Sequence, residues 1–149
     1  MPRAQRAVDA AYIQYGALPY RLDAEGRPEV LLVTSRRTRR WILPKGWPIK
    51  GLKPANSAAR EAFEEAGIVG EVDSRPVGEF CYDKLFERTG LSSPCAVEVF
   101  ALKVTHQLET WPEAGQRQTR WAHAEDLPVM VEDVDLLRFI EEALARLGD

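Results

Sequence analysis

The 149 residues include only two cysteines, Cys81 and Cys95, and two histidines, His106 and His123. No Cys-x-x-Cys pair occurs and the histidines lack ligand spacing, so zinc chemistry has no residues to rest on. Both cysteines are expected as buried free thiols in strands, the state that suits a reducing cytosol, and both histidines as structural or exposed. No apolar run approaches a membrane span, and Asp9, Gln14 and Gly16 interrupt the amino-terminal stretch before it reaches signal-peptide length. A cytoplasmic chain without a membrane partner is expected. Charge of one sign is also lacking: 20 Lys and Arg face 23 Asp and Glu, a formal net charge of −3. That balance gives no general attraction to nucleic acid, and no nucleic-acid partner is expected. There is no Gly-x-Ser-x-Gly elbow. Gly46 and Gly51 have the spacing of a phosphate-binding loop, but Leu52 and Lys53 stand where it requires Lys-Ser/Thr.

What is present suffices for one core: 45% of the residues are hydrophobic, and without repeats or a linker the chain reads as a single domain over 1–149. Residues 10–22 and the run EVLLVTS at 29–35, joined by a turn-like DAEGRP, predict a hairpin. A basic stretch, Arg36 to Arg40, then leads to an extended Trp41-Ile42-Leu43; Trp41 could stack on a base, although a strand tryptophan is more often core. Residues 45–53 read as a structured loop. The next segment predicts a helix with Pro54 in its first turn, a capping oxygen from Asn56 or Ser57, and Gly67 ending it in a left-handed conformation. Strands are expected around 68–72, 76–83 and 96–104, with a polar stretch at 84–94 between the last two, and a loop holding Trp111 and Glu113 precedes Thr119–Ala122. Leu137, Ile140, Leu144 and Leu147 mark a terminal amphipathic helix. Short hairpin connections exclude a wholly parallel sheet, so the fold class is an α/β sandwich with a mixed sheet.

The chemistry concentrates in Arg60-Glu61-Ala62-Phe63-Glu64-Glu65-Ala66-Gly67-Ile68. At about 100° per residue, Glu61, Glu64 and Glu65 share an arc of roughly 100°. Ala59, Ala62, Phe63 and Ala66 form a separate apolar stripe expected to pack on the sheet. Three carboxylates one turn apart repel, and a hard divalent cation such as Mg²⁺ offsets that repulsion while leaving positions open for water and phosphate. Arg60 can pair with Glu64 four residues on. A solvated acidic helix face is the plain alternative, weakened here by the glycine-containing loop KGWPIKGLKP directly before the helix.

These residues, with Gly46 fourteen positions before Arg60, resemble the Nudix box. Leu52 departs from the pattern, which carries a glutamate there. The resemblance implies an α/β/α sandwich with a mixed central sheet and hydrolysis of a nucleoside diphosphate linked to another group. It implies that Glu64 and Glu65 are metal ligands, that Glu61 is a ligand or base, that Arg60 orients the glutamates, and that the Gly46 main-chain oxygen helps hold the metal, Mg²⁺ with Mn²⁺ as an option. Glu113, in a loop from which the family often draws a carboxylate, is a second candidate base, and Glu98 a weaker third. Lys45 and Lys50, flanking the box glycine, are the better candidates to grip phosphate, with Arg39 and Arg40 of the basic stretch beside them. The stretch 108–113 and Arg120-Trp121 are similar to the branch acting on diadenosine and diphosphoinositol polyphosphates. The expected partner is therefore a small-molecule polyphosphate or nucleotide, acted on by a phosphoanhydride hydrolase. RNA 5′-end pyrophosphate removal suits the acidic balance less well. The alternative is a catalytically weak sensor of nucleotides or polyphosphates on the same scaffold. The sequence leaves the oligomeric state open.

Overall fold

The structure, a computed structural model, describes residues 10–147; the sequence reading of residues 1–9 lies outside them. The strands are β1 (Tyr12–Leu22), β2 (Pro28–Thr34), β3 (Trp41–Ile42), β4 (Lys45–Gly46), β5 (Ile68–Val72), β6 (Gly78–Phe86), β7 (Leu91–Gln107) and β8 (Thr119–Ala122). The helices are α1 (Pro54–Ala66), the single turn α2 (Leu127–Met130) and α3 (Val134–Leu147). The sheet runs β3-β2-β1-β7-β5, with β4 on β1, β6 on β7 and β8 on β2. It is mixed: β1 and β7 pair in parallel from Tyr12↔Cys95 to Tyr20↔Lys103, whereas β1 and β2 form the expected antiparallel hairpin. Asp23 closes that hairpin by accepting the Glu25 and Arg27 amides at 2.9 Å.

The placement of the site depends on β1. Tyr20–Leu22 pair with β2, while Tyr15 and Gly16 pair with Gly46 and Lys45 of β4. One strand thus serves two antiparallel partners in succession, and the chain around Gly46 is drawn into the sheet. Residues 45–53 were expected to be loop throughout; the first two are strand because β1 offers them a ladder, a tertiary pairing with no local signal. The polar stretch at 84–94 is likewise not a loop. Tyr82↔Cys95 through Phe86↔Leu91 continue a hairpin whose tip lies at 87–90. Its side chains alternate between exposed and half-buried, so polar residues are tolerated where a central strand would exclude them.

Alternation along the strands sorts the core into two layers. On one face Leu18, Val30, Leu32, Val97, Val99 and Phe80 pack with Leu136, Phe139, Ile140, Ala143 and Leu144 of α3. Ile140 and Leu144 fall on the predicted stripe, and Leu137 and Leu147 sit at its border. On the other face Ala17, Leu31, Val33, Phe100 and Leu102 meet Ala55, Ala58, Ala62 and Ala66 of α1. The result is the expected α/β/α sandwich. Among the described residues no helix is long and apolar enough to cross a membrane.

Helix α1 begins and ends where its sequence signals put it. Pro54 lies in its first turn, and Gly67 terminates it with φ 67° and an amide donating to Phe63 O at 3.0 Å. Two details differ from expectation. No side chain caps its first turn; the Ser57 hydroxyl instead accepts the Ile49 amide at 3.2 Å and ties down the preceding loop. The buried stripe consists of alanines, Phe63 is only half-buried under the Arg60 guanidinium, and Glu65 is 3% exposed. Small alanines let the helix lie close to the sheet, which carries the neighbouring carboxylate inside.

Candidate metal centre

Glu61 and Glu65, one turn apart on α1, face inward. Burial pushes the Glu65 carboxyl up to about 8, even though Arg117 and Lys45 both pull it down. Burial also raises Glu61, and the hydrogen bond between the two lowers Glu61 while raising Glu65. Burial thus works against the charged form of both carboxyls, which share a hydrogen bond. Gly46 lies against Glu61: a Cβ built there would collide with its carboxylate. This glycine is needed for close approach, since its φ is not positive. The donors are hard oxygens, and two desolvated carboxyls in contact repel as anions, a repulsion that a divalent cation would offset; the residues fit such an ion.

Glu64 takes a different position. It is half-exposed at the rim, where its Oε1 accepts Arg60 Nε at 3.1 Å, the pairing expected from their spacing. Among the described residues no three His, Cys, Asp or Glu side chains are gathered closely enough to hold a metal as they stand.

The loop between β7 and β8 supplies the rest. Glu113 Oε1 accepts Arg117 Nε at 2.9 Å, and Arg117 Nη1 lies 3.9 Å from Glu65 Oε1 while donating to Thr34 O at 3.2 Å. One guanidinium, its side chain 10% exposed, thus joins Glu113 to Glu65. Sequence reasoning missed Arg117; its i,i+4 spacing from Glu113 was the available signal. Glu98, the third candidate base, lines a cavity of about 410 Å³ with Lys53, Pro54 and Asn56, beside the amino-terminal turn of α1, away from the Glu61–Glu65 turn.

The candidate cations spread more widely. Lys45 pairs with Gly16 across the β1–β4 ladder, where a Cβ on Gly16 would come within 3.3 Å of Lys45 Cβ. Over this bare backbone the Lys45 side chain reaches Tyr82, its Nζ 4.6 Å from the ring centroid. Burial lowers Lys45 to about 8, with Glu65 opposing and Lys84 adding to the shift. Tyr82 OH donates to the buried Gln14 Oε1 at 2.7 Å. The rings of Tyr12, Trp47 and Phe86 cluster at 5.0 to 6.3 Å, with Tyr12 and Trp47 each 41% exposed. Lys50 is exposed in the loop after β4. Arg39, at φ 55°, donates to Gln116 O at 3.1 Å, and Arg40 lies 4.0 Å from Glu132. With Arg37 paired to Glu87 at 2.9 Å, the basic turn connects the Glu113 loop with the β6–β7 hairpin. Trp41 packs against the α3-side core, as a strand tryptophan usually does.

Residues 14–143 match the family model described as NUDIX domain, and the chain belongs to the Nudix family of hydrolases. It is 32% identical over 148 residues to Nudix hydrolase 12, mitochondrial, of Arabidopsis thaliana, a match covering 90% of this chain and 73% of the relative. It is 32% identical over 128 residues to diphosphoinositol polyphosphate phosphohydrolase 3-beta of Bos taurus, covering 84% and 73%. Several plant relatives are considerably longer than the part that matches, down to 59% of their length. The fold is shared with a C. elegans Ap4A hydrolase in a binary complex, at a TM-score of 0.68 and 20% identity over 93% of this chain and 98% of that one.

Proposed function

We propose that the chain hydrolyses a phosphoanhydride bond in a small polyphosphate or nucleoside diphosphate-linked substrate, using Mg²⁺ or Mn²⁺ held by Glu61, Glu64, Glu65 and the Gly46 main-chain oxygen. The observation that carries this reading is the desolvated Glu61–Glu65 pair against a backbone too close for any side chain. When bound, the cation neutralises phosphate charge and lowers the pKa of the attacking water. Arg60 holds Glu64 at the rim, and that carboxylate would join Glu61 and Glu65 in holding the ion. Glu113, fixed in direction by Arg117, accepts the water's proton, and Glu61 is the alternative base. Lys45 grips the phosphates, with Lys50, Arg39 and Arg40 at greater reach.

The ring cluster joins Tyr12 of β1, Phe86 of the β6–β7 hairpin that also carries Tyr82 and Lys84, and Trp47 just after β4. It favours a substrate carrying a base, of the diadenosine polyphosphate type, over an inositol pyrophosphate. The relatives' names support both branches. The buried thiols Cys81 and Cys95 support a cytoplasmic setting.

A panel of dinucleoside polyphosphates, inositol pyrophosphates, nucleoside triphosphates and nucleotide sugars, assayed with and without Mg²⁺, tests the proposal. Turnover of at least one, abolished by chelation and by Glu64→Gln, is the expected result. Leu52, 42% exposed where the Nudix box carries glutamate, favours the second reading, a sensor on the same scaffold. Tight nucleotide binding with no turnover in any metal would establish that reading instead.

A further inference from the structure

A helix ends with carbonyls that have no partner inside it, and these must find donors elsewhere. In α1 the left-handed Gly67 provides one, its amide bonding Phe63 O. The Glu64, Glu65 and Gly67 carbonyls take theirs from a single stretch of the β7–β8 loop. Glu113 N donates to Glu64 O at 3.0 Å, Trp111 Nε1 to Glu65 O at 3.2 Å, and Leu108 N to Gly67 O at 2.7 Å. The indole also lies flat against Gly67, where a Cβ would run into the ring. Gly67 therefore serves both the left-handed turn and this contact.

The loop holds its own shape between these anchors. Ala114 N donates to Trp111 O at 3.0 Å and Gln116 N to Glu113 O at 2.9 Å, while Gln118 N donates to Thr34 Oγ1 at 2.9 Å. Two of the carbonyls it covers belong to Glu64 and Glu65, whose side chains form the centre. The segment that closes the helix also carries Glu113 and Arg117.

From this geometry we infer that Trp111 is a positioning residue, fixing the Glu113–Arg117 pair relative to Glu65 by joining their loop to the carboxyl end of α1. This inference rests on the proposed role of Glu113. Of the three bonds, Trp111's alone comes from a side chain, so one substitution removes it without touching the backbone. Trp111→Phe keeps an aromatic ring against Gly67 and deletes the N–H.

The experiment has two arms on the full chain. The first measures amide hydrogen exchange at Leu108 and Glu113 without metal; exchange at Glu113 should accelerate about tenfold in Trp111→Phe. The second measures kinetics with Mg²⁺ on whichever phosphoanhydride the wild type cleaves. There kcat should fall on the order of 10- to 100-fold with KM within about twofold, because the substrate's grip is elsewhere. In a Glu113→Gln background the same substitution should cost nothing further. Unchanged exchange at Glu113 overturns the inference, and so does a loss of kcat equally large in the Glu113→Gln background, which marks a merely structural role. If the wild type cleaves no phosphoanhydride, the proposed function fails, while the exchange arm still decides whether Trp111 holds the loop.

Discussion

Two groups of opposed charge occupy this molecule, and they behave in opposite ways. Around His123, Nε2 lies 2.8 Å from Asp23 Oδ2 and 3.4 Å from Glu29 Oε2, and Arg21 pairs with Glu29 at 2.5 Å. There the Asp23 carboxyl is held below its ordinary value, first by the Arg27 amide and then by His123. At the carboxyl end of α1, Arg117 Nη1 lies 3.9 Å from Glu65 Oε1 and Lys45 also pulls that carboxyl down, yet it is raised, because burial outweighs both cations. The difference is access to water and amides. Both groups set cations against carboxylates; the sign of the shift separates a finished structural cluster from one that still lacks positive charge.

The sharpest way to break the comparison is to neutralise one carboxylate in each group. Glu65→Gln should lower kcat by roughly 100-fold or more in a Mg²⁺ assay, since a proposed ligand position is lost. The same variant should melt at or above the wild-type temperature in EDTA, because an amide is less costly to bury than a carboxyl forced to share its neighbour's charge. Gly46→Ala should come next. Its methyl displaces the Glu61 carboxylate, so Mn²⁺ affinity measured by titration should drop by about tenfold or more, with the fold intact by circular dichroism.

Opposite shifts also imply opposite pH responses. Glu65 titrates near 8 in the folded state against about 4.5 when unfolded, so between those values the folded protein binds a proton that the unfolded chain has released. Its contribution to stability is complete below the unfolded value and disappears as pH rises toward 8. Asp23 is lowered, so its contribution is present above its ordinary value and disappears as pH falls through it. In EDTA, urea midpoints followed across pH should decline on the alkaline side through Glu65 and on the acid side through Asp23. Glu65→Gln should remove the first decline only, and Asp23→Asn the second only, with kcat unchanged in Asp23→Asn. If Glu65→Gln leaves the alkaline limb as it was, the buried pair is not what the geometry implies.

Sequence reached the centre more easily than its surroundings. Pro54 and Gly67 are local signals with local physical causes, so the end of the helix carrying the glutamates was legible to the residue and its start to within a few. The box spacing, fixed by the distance from Gly46 to that helix, was legible for the same reason. The wheel of α1 was ambiguous, because an alanine stripe flanked by Phe63 on one side and Glu65 on the other gives no preference for which flank goes inside. Only the sheet decides that. β4 depends on β1, a partner distant in sequence, the polar residues at 84–94 hid a local hairpin, and Arg117 acquires its role only when the loop folds back onto Thr34.

The smallest expected effect concerns Leu52, the one position where the box pattern and this chain disagree. Its amide donates to Ile49 O at 3.1 Å in the turn before α1, and its side chain is 42% exposed, outside both core layers. Restoring glutamate there removes little apolar contact and places a charge in water, so the melting temperature should hardly move. Arg60 already has Glu64 as its partner, and the Glu61 carboxylate already sits against Gly46. Leu52→Glu should therefore leave kcat within about twofold of wild type. A large gain in kcat or in Mn²⁺ affinity would mean that the α1 centre, like the His123 cluster, needs a carboxylate from beyond its own helix and loop, and that the native chain operates with one ligand missing.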